Sequence, residues 1–159
     1  MSSTNTQAAS LQNPEDLELT ITRTFDAPRT LVFKMWTAAE HLSQWFCPPE
    51  FTLASITADF QPGGAWHLHM TSPDDSSYKM GGVYRGIVAN EQIVMTQKWL
   101  EGTDDPDIET VITVDFADHG EKTELTFHHA VLESKASRDS HRGGWTKFLD
   151  NLESQLENA

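Results

Sequence analysis

Seven histidines, one cysteine and five tryptophans are the side chains of this 159-residue protein with most to offer a binding or reacting partner. His67 and His69 sit two apart in the run Trp66-His67-Leu68-His69-Met70, whose alternation is that of a strand. Both imidazoles then share one face, which begins a metal site, but a metal needs at least one further His, Asp or Glu ligand close by. Trp66, Leu68 and Met70 hold the opposite, apolar face, so the histidines fall on the solvated side and no metal is expected. His129 is different. In Leu125, Phe127 and His129 the same alternation carries a histidine into an apolar row and points it inward. Such an imidazole either fixes the polar end of a ligand by one hydrogen bond or is a satisfied core histidine at the open end of a sheet.

His141 and Trp145 lie four apart on one helix face and flank Gly143 and Gly144, each of which costs a helix about 1 kcal/mol relative to Ala. Two explanations of the glycines stand: they leave room for a ligand beside His141 and Trp145, or they serve a close backbone approach or a flexible entry at a helix start, with Trp145 as ordinary core. Tyr84 and Trp99 on strands, and Trp36 and Trp45 in a helical corner, line such a space or fill the core. With Trp66, Leu68, Met70 and Phe127 they complete the candidate lining. Cys47 follows Trp45-Phe46 with no cation adjoining it, the setting of an inert thiol.

No catalytic residue and no cofactor is assigned, because the chain lacks Gly-x-Ser-x-Gly, His-Glu-x-x-His, a phosphate-cradling Gly-x-x-x-x-Gly-Lys and Gly-x-Gly-x-x-Gly. Asp74-Asp75 and Asp104-Asp105-Pro106-Asp107 lack calcium-loop spacing and are solvated charge. Eleven Lys and Arg against 24 Asp and Glu give a net charge of −13, which repels nucleic acid and anionic lipid surfaces. No run approaches the roughly 20 apolar residues of a membrane span, and one cysteine excludes a disulfide framework, so a cytoplasmic location is expected. A homodimer is compatible with these features.

The elements that must hold these side chains follow from the pattern. Residues 1–14 are uncharged and polar and read as a disordered tail, with a single domain over 15–159. Leu17, Leu19, Ile21 and Phe25 alternate with polar residues as a first strand. Asp26 and Pro28 open a helix, a second short helix carries Leu42, Trp45 and Phe46, and Pro48-Pro49 stops it. Turn signals from Pro62-Gly63-Gly64 to Asp118-His119-Gly120-Glu121 space six strands near 51–61, 64–71, 78–88, 92–100, 108–116 and 123–131. From about Ser137, Trp145, Phe148, Leu149, Leu152 and Leu156 mark one long amphipathic helix. The expected class is α+β: a curved seven-stranded antiparallel sheet, two short helices after the first strand, and a C-terminal helix in the concave face.

Phe25-Asp26-Ala27-Pro28, Val32-Phe33-Lys34, Trp36-Thr37, Trp45, Pro48, Asp59, Pro62-Gly63-Gly64-Ala65-Trp66, Gly82-Val83-Tyr84, Trp99, Val114, Phe116, Thr123-Glu124-Leu125 and Gly143-Gly144-Trp145 occur in an order and spacing that resemble the activator-of-Hsp90-ATPase-homologue-like (AHSA1-like) family of START-like, Bet v 1-like helix-grip domains. The resemblance runs from about Leu17 to Leu156; Cys47 and His67 depart from it, standing where Gly and Arg are common. It implies a hydrophobic cavity between helix and sheet and an apolar small molecule as partner. Two alternatives accompany it: an interaction module that regulates an Hsp90-type chaperone, and an enzyme acting on a polyketide-like or aromatic substrate in the same cavity.

Overall fold

The structure, a computed structural model, describes residues 17–102, 108–132 and 134–157. The chain runs β1 (Leu19–Phe25), α1 (Arg29–Lys34), α2 (Ala39–Leu42), β2 (Thr52–Ala58), β3 (Ala65–Thr71), β4 (Ser77–Val88), β5 (Gln92–Glu101), β6 (Thr110–His119), β7 (Lys122–Ala130) and α3 (Lys135–Glu157). All seven strands pair antiparallel in one curved sheet, in the order β1-β7-β6-β5-β4-β3-β2. The α+β helix-grip architecture expected from the sequence is the one observed, with strand ends within a few residues of their expected positions. The expected tail and the Asp104-Asp105-Pro106-Asp107 cluster lie outside the described residues.

Period two decides which side chains the sheet buries. On β6, Ile112, Val114 and Phe116 are buried, and on β7 Thr123, Leu125, Phe127 and His129 are, while the intervening residues are only partly covered. The β7 register against β6 sets Phe127 opposite Val114 and His129 opposite Ile112. Register shifts interrupt β4–β5 pairing between Lys79 and Met80 and between Tyr84 and Gly86; such irregularities sharpen local twist and help the sheet wrap a helix.

Helix α3 buries Ser137, His141, Trp145, Phe148, Leu149, Leu152 and Leu156, a stripe at spacings of three and four that faces the sheet. It begins at Lys135, slightly before the expected start, because Ser134 caps it: the Ser134 hydroxyl accepts the Ser137 N–H at 3.1 Å. Arg23 on β1 reaches Asp150 at 2.6 Å and ties the helix to the sheet edge. At the other corner, α1 is preceded by Pro28 in an extended conformation and has no side-chain cap. Asp26, expected as that cap, stands two residues too early, and Pro28 occupies the capping position. Helix α2 is only one turn long, after which Trp45 and Phe46 donate their backbone N–H groups back to Leu42.

The corner is packed with rings. Trp36 and Trp45 meet edge-on at 4.7 Å between centroids, and Phe46 contacts Trp45, Trp66, Trp145 and Phe148 at 5.2, 5.8, 5.8 and 4.9 Å. All of these but the tilted Phe46–Trp145 pair are edge-to-face, a geometry that adds about 0.5–1.5 kcal/mol per pair beyond area burial. Side chains therefore fill the interior beneath α1 and α2.

Candidate functional site

Toward the start of α3 the packing opens. A pocket of about 470 Å³ lies between α3 and the ends of β3, β4 and β5, bounded also by the segment 48–51. Its walls are Pro48, Glu50, Phe51, Met70, Tyr78, Met80, Trp99, Ser134, Ala136, Ser137, Ser140, His141, Gly144, Trp145, Lys147 and Phe148. The helix contributes Ala136, Ser137, Ser140, His141, Gly144, Trp145, Lys147 and Phe148, most of which three- and four-residue spacing places on one side. Gly144 leaves space: a Cβ built there meets nothing within 4 Å, and the same is true of Gly143. Close backbone approach therefore does not explain the glycine pair, which leaves a flexible helix entry or room for a guest, and Gly144 stands at an open volume.

Met70, Trp99, His141 and Trp145 of the candidate lining border the pocket. Trp36, Trp45, Trp66, Leu68, Tyr84, Phe127 and His129 do not; each is at most 3% exposed and engaged elsewhere. The physical reason is the mass of rings around Phe46, which closes the space that Trp36 and Trp45 were expected to bound. Trp45 donates its indole N–H to the Met35 carbonyl at 2.9 Å and Trp66 to the Thr96 carbonyl at 3.0 Å, whereas the buried Trp36 indole N–H has no partner among the described residues. Tyr84 stacks edge-on against Phe60 at 5.0 Å, and its burial, with Asp59 nearby, raises the phenol pKa.

Behind the pocket wall runs a hydrogen-bond relay that alternation alone does not reveal. The Trp145 indole N–H donates to His129 Nδ1 at 3.0 Å. An indole N–H only donates, so Nδ1 carries the lone pair and the proton sits on Nε2, which donates to Thr110 Oγ1 at 2.7 Å. The Thr110 hydroxyl in turn faces the Gln97 backbone carbonyl at 2.7 Å and its Oε1 at 2.8 Å, and Gln97 Nε2 donates to Met80 Sδ at 3.3 Å. A second, shorter relay starts on Trp99, whose indole N–H donates to His141 Nε2 at 2.9 Å; His141 Nδ1–H then donates to the Ser137 carbonyl at 2.8 Å. The two imidazoles stand edge-to-face at 4.9 Å. Burial, with His141 and His128 near, pushes the His129 pKa well below the ordinary histidine value. His129 thus packs behind Trp145, one layer beneath the pocket surface.

At the mouth, Lys147 on α3 donates to Glu50 Oε1 at 2.5 Å, and that bond holds the Glu50 carboxyl below the usual carboxylate range. Asn151, one turn on, bonds the Cys47 carbonyl and fixes the 47–50 segment against the helix. The Cys47 thiol is buried, and burial with Glu50 nearby raises its pKa to about 11, far from thiolate at neutral pH. On the sheet's other face His67 is exposed and His69 bonds Ser77 Oγ at 2.7 Å; the described residues hold no group of three potential metal ligands. Sequence reasoning missed Ser137 and Ser140, which the stripe through His141 and Gly144 would have supplied if extended back one turn. Glu50 and Lys147 carry no local signal, since 97 residues separate them.

Solved structures with this arrangement come from several bacteria. A protein from Rhizobium leguminosarum is 30% identical, with a TM-score of 0.72, and the match covers 89% of this chain and 95% of that one. The AHSA1 protein from Silicibacter pomeroyi is 22% identical, with a TM-score of 0.76 and coverage of 88% and 97%. A Nitrosomonas europaea protein is 22% identical, with a TM-score of 0.73 and coverage of 90% and 96%. No curated protein matches the chain. A family model of activator of Hsp90 ATPase homolog 1-like proteins matches residues 26–157, most of the sheet and the whole of α3, and the chain belongs to that family.

Proposed function

We propose that this protein binds an apolar small molecule in the pocket between α3 and the sheet. The observation that carries this reading is a 470 Å³ space walled by Phe51, Met70, Tyr78, Met80, Trp99, Trp145 and Phe148. Aromatic rings offer flat contact surface, and the two methionines adapt to the guest's outline. A ligand that buries about 300 Å² of apolar surface gains about 7 kcal/mol before the cost of immobilisation, enough for a useful affinity. The chaperone-regulating alternative draws on the family description alone. The enzyme alternative needs convergent acids and bases, whereas Glu50 is tied to Lys147 and both His141 nitrogens are engaged.

Native mass spectrometry of freshly purified protein tests the reading, together with thermal melting in the presence of neutral aromatic and aliphatic probes. A retained small molecule, or a melting temperature that rises with probe concentration, is the expected result. Protein that carries no guest and gains no stability from any probe overturns it.

A further inference from the structure

The indole and imidazole nitrogens in and behind the pocket wall are spoken for from within the protein. Trp145 and Trp99 point their only polar hydrogens at histidines rather than at the pocket, and each relay ends on an acceptor of the protein itself, Met80 Sδ or the Ser137 carbonyl. Neither imidazole offers a ring nitrogen to a guest. Among the described lining residues Glu50 and Lys147 carry full charge, and they cancel one another at 2.5 Å. Both are partly exposed at the rim, so a charged group on a guest could reach them while its body lay among Phe51, Trp99 and Phe148.

We infer that the pocket selects uncharged ligands, and that Glu50 sets this selectivity by occupying Lys147. The inference rests on the proposed ligand-binding reading and adds the charge class of the guest and the residue that determines it. An anionic guest would have to displace the Glu50 carboxylate from Lys147 and then lie beside it, with like charges together. A cationic guest would meet Glu50 already neutralised and no other carboxylate among the described walls. A neutral guest, carrying at most a hydroxyl or carbonyl for the wall at Ser140, leaves the ion pair intact.

The test uses two dyes that share one ring system: neutral N-phenylnaphthylamine and its sulfonated analogue anilinonaphthalene sulfonate, titrated by fluorescence into wild-type protein and three variants. Wild type should bind the neutral dye at least about tenfold more tightly, and Gly144→Leu, which fills the open volume, should weaken both. Glu50→Gln leaves Lys147 unpaired at the mouth and should improve sulfonate binding about fivefold with little change for the neutral dye, the order expected for one partly exposed charge contact. Glu121→Gln, on the far β6–β7 turn, removes the same unit of net charge and should leave the ratio unchanged. Repeating the titrations in about 0.5 M salt, where charges are screened within a few ångströms, should shrink the Glu50→Gln effect. Equal or tighter sulfonate binding by wild type, or the same response from Glu50→Gln and Glu121→Gln, overturns this inference and leaves the ligand-binding reading intact. Failure of both dyes to bind, with no guest retained in native mass spectra, overturns the two together.

Discussion

His129 shows what a buried imidazole contributes when its neighbours dictate its proton. Trp145 demands a lone pair on Nδ1, Thr110 receives the Nε2 proton, and the side chain is wholly buried. Its folded-state pKa lies well below the unfolded value near 6.5, with His141 and His128 adding repulsion to the cost of burial. Below about pH 6.5 the unfolded chain therefore binds a proton that the folded chain refuses, so stability falls as pH drops and is unaffected by this group above about pH 7.5. The slope should approach about 1.4 kcal/mol per pH unit, and His129→Gln should flatten it; urea midpoints of both proteins from pH 5 to 8 check this, and parallel curves would refute it. Trp145→Phe keeps most of the ring contacts but leaves His129 Nδ1 buried without a donor, and should cost about 1–3 kcal/mol in the same assay. The inward direction of His129 was readable from the alternation of Leu125 and Phe127. That its partner would be Trp145, on another element, was not, because periodicity reports which face a residue takes and nothing about what meets it.

Helix α3 and strand β4 use glycine for opposite reasons. On α3, Gly143 is exposed and a Cβ there meets no atom within 4 Å, so Gly143→Ala should raise stability by about 0.5–1 kcal/mol through the entropy of the unfolded chain. Calorimetry should show the melting temperature rising by a few degrees, and a fall would mean that the helix start needs glycine after all. On β4, a Cβ on Gly82 would sit 1.9 Å from the Thr96 carbonyl oxygen, the same atom that accepts the Trp66 indole N–H. Gly82→Ala must push β4 away from β5 and should cost about 3 kcal/mol or more, seen as a large drop in the denaturation midpoint. The strands and the long helix were legible because turn residues punctuate them and apolar residues repeat at two or at three and four. Capping was less so: Ser134 was missed and Asp26 wrongly preferred, since several short polar residues near a helix start compete for one position.

The protein as a body carries a net charge of −13: 11 Lys and Arg cannot match 24 Asp and Glu one for one, although Glu50, Asp150 and Glu109 are paired with Lys147, Arg23 and Arg85. Self-repulsion opposes the compact state, so raising salt from about 0.01 M to about 0.15 M should increase the melting temperature, even though exposed ion pairs weaken. A decrease would show that those pairs matter more than the excess charge. Read along the chain, the residues specify the order of elements, the buried face of each strand and helix and the family, because those properties depend on neighbours two to four positions away and on short strings. Where the interior is solid and where it is hollow, which indole clamps which imidazole, and that Lys147 meets Glu50 are settled by contacts between residues far apart in the chain. Side-chain volumes add up to a filled or an open space only once the sheet has curved around the helix.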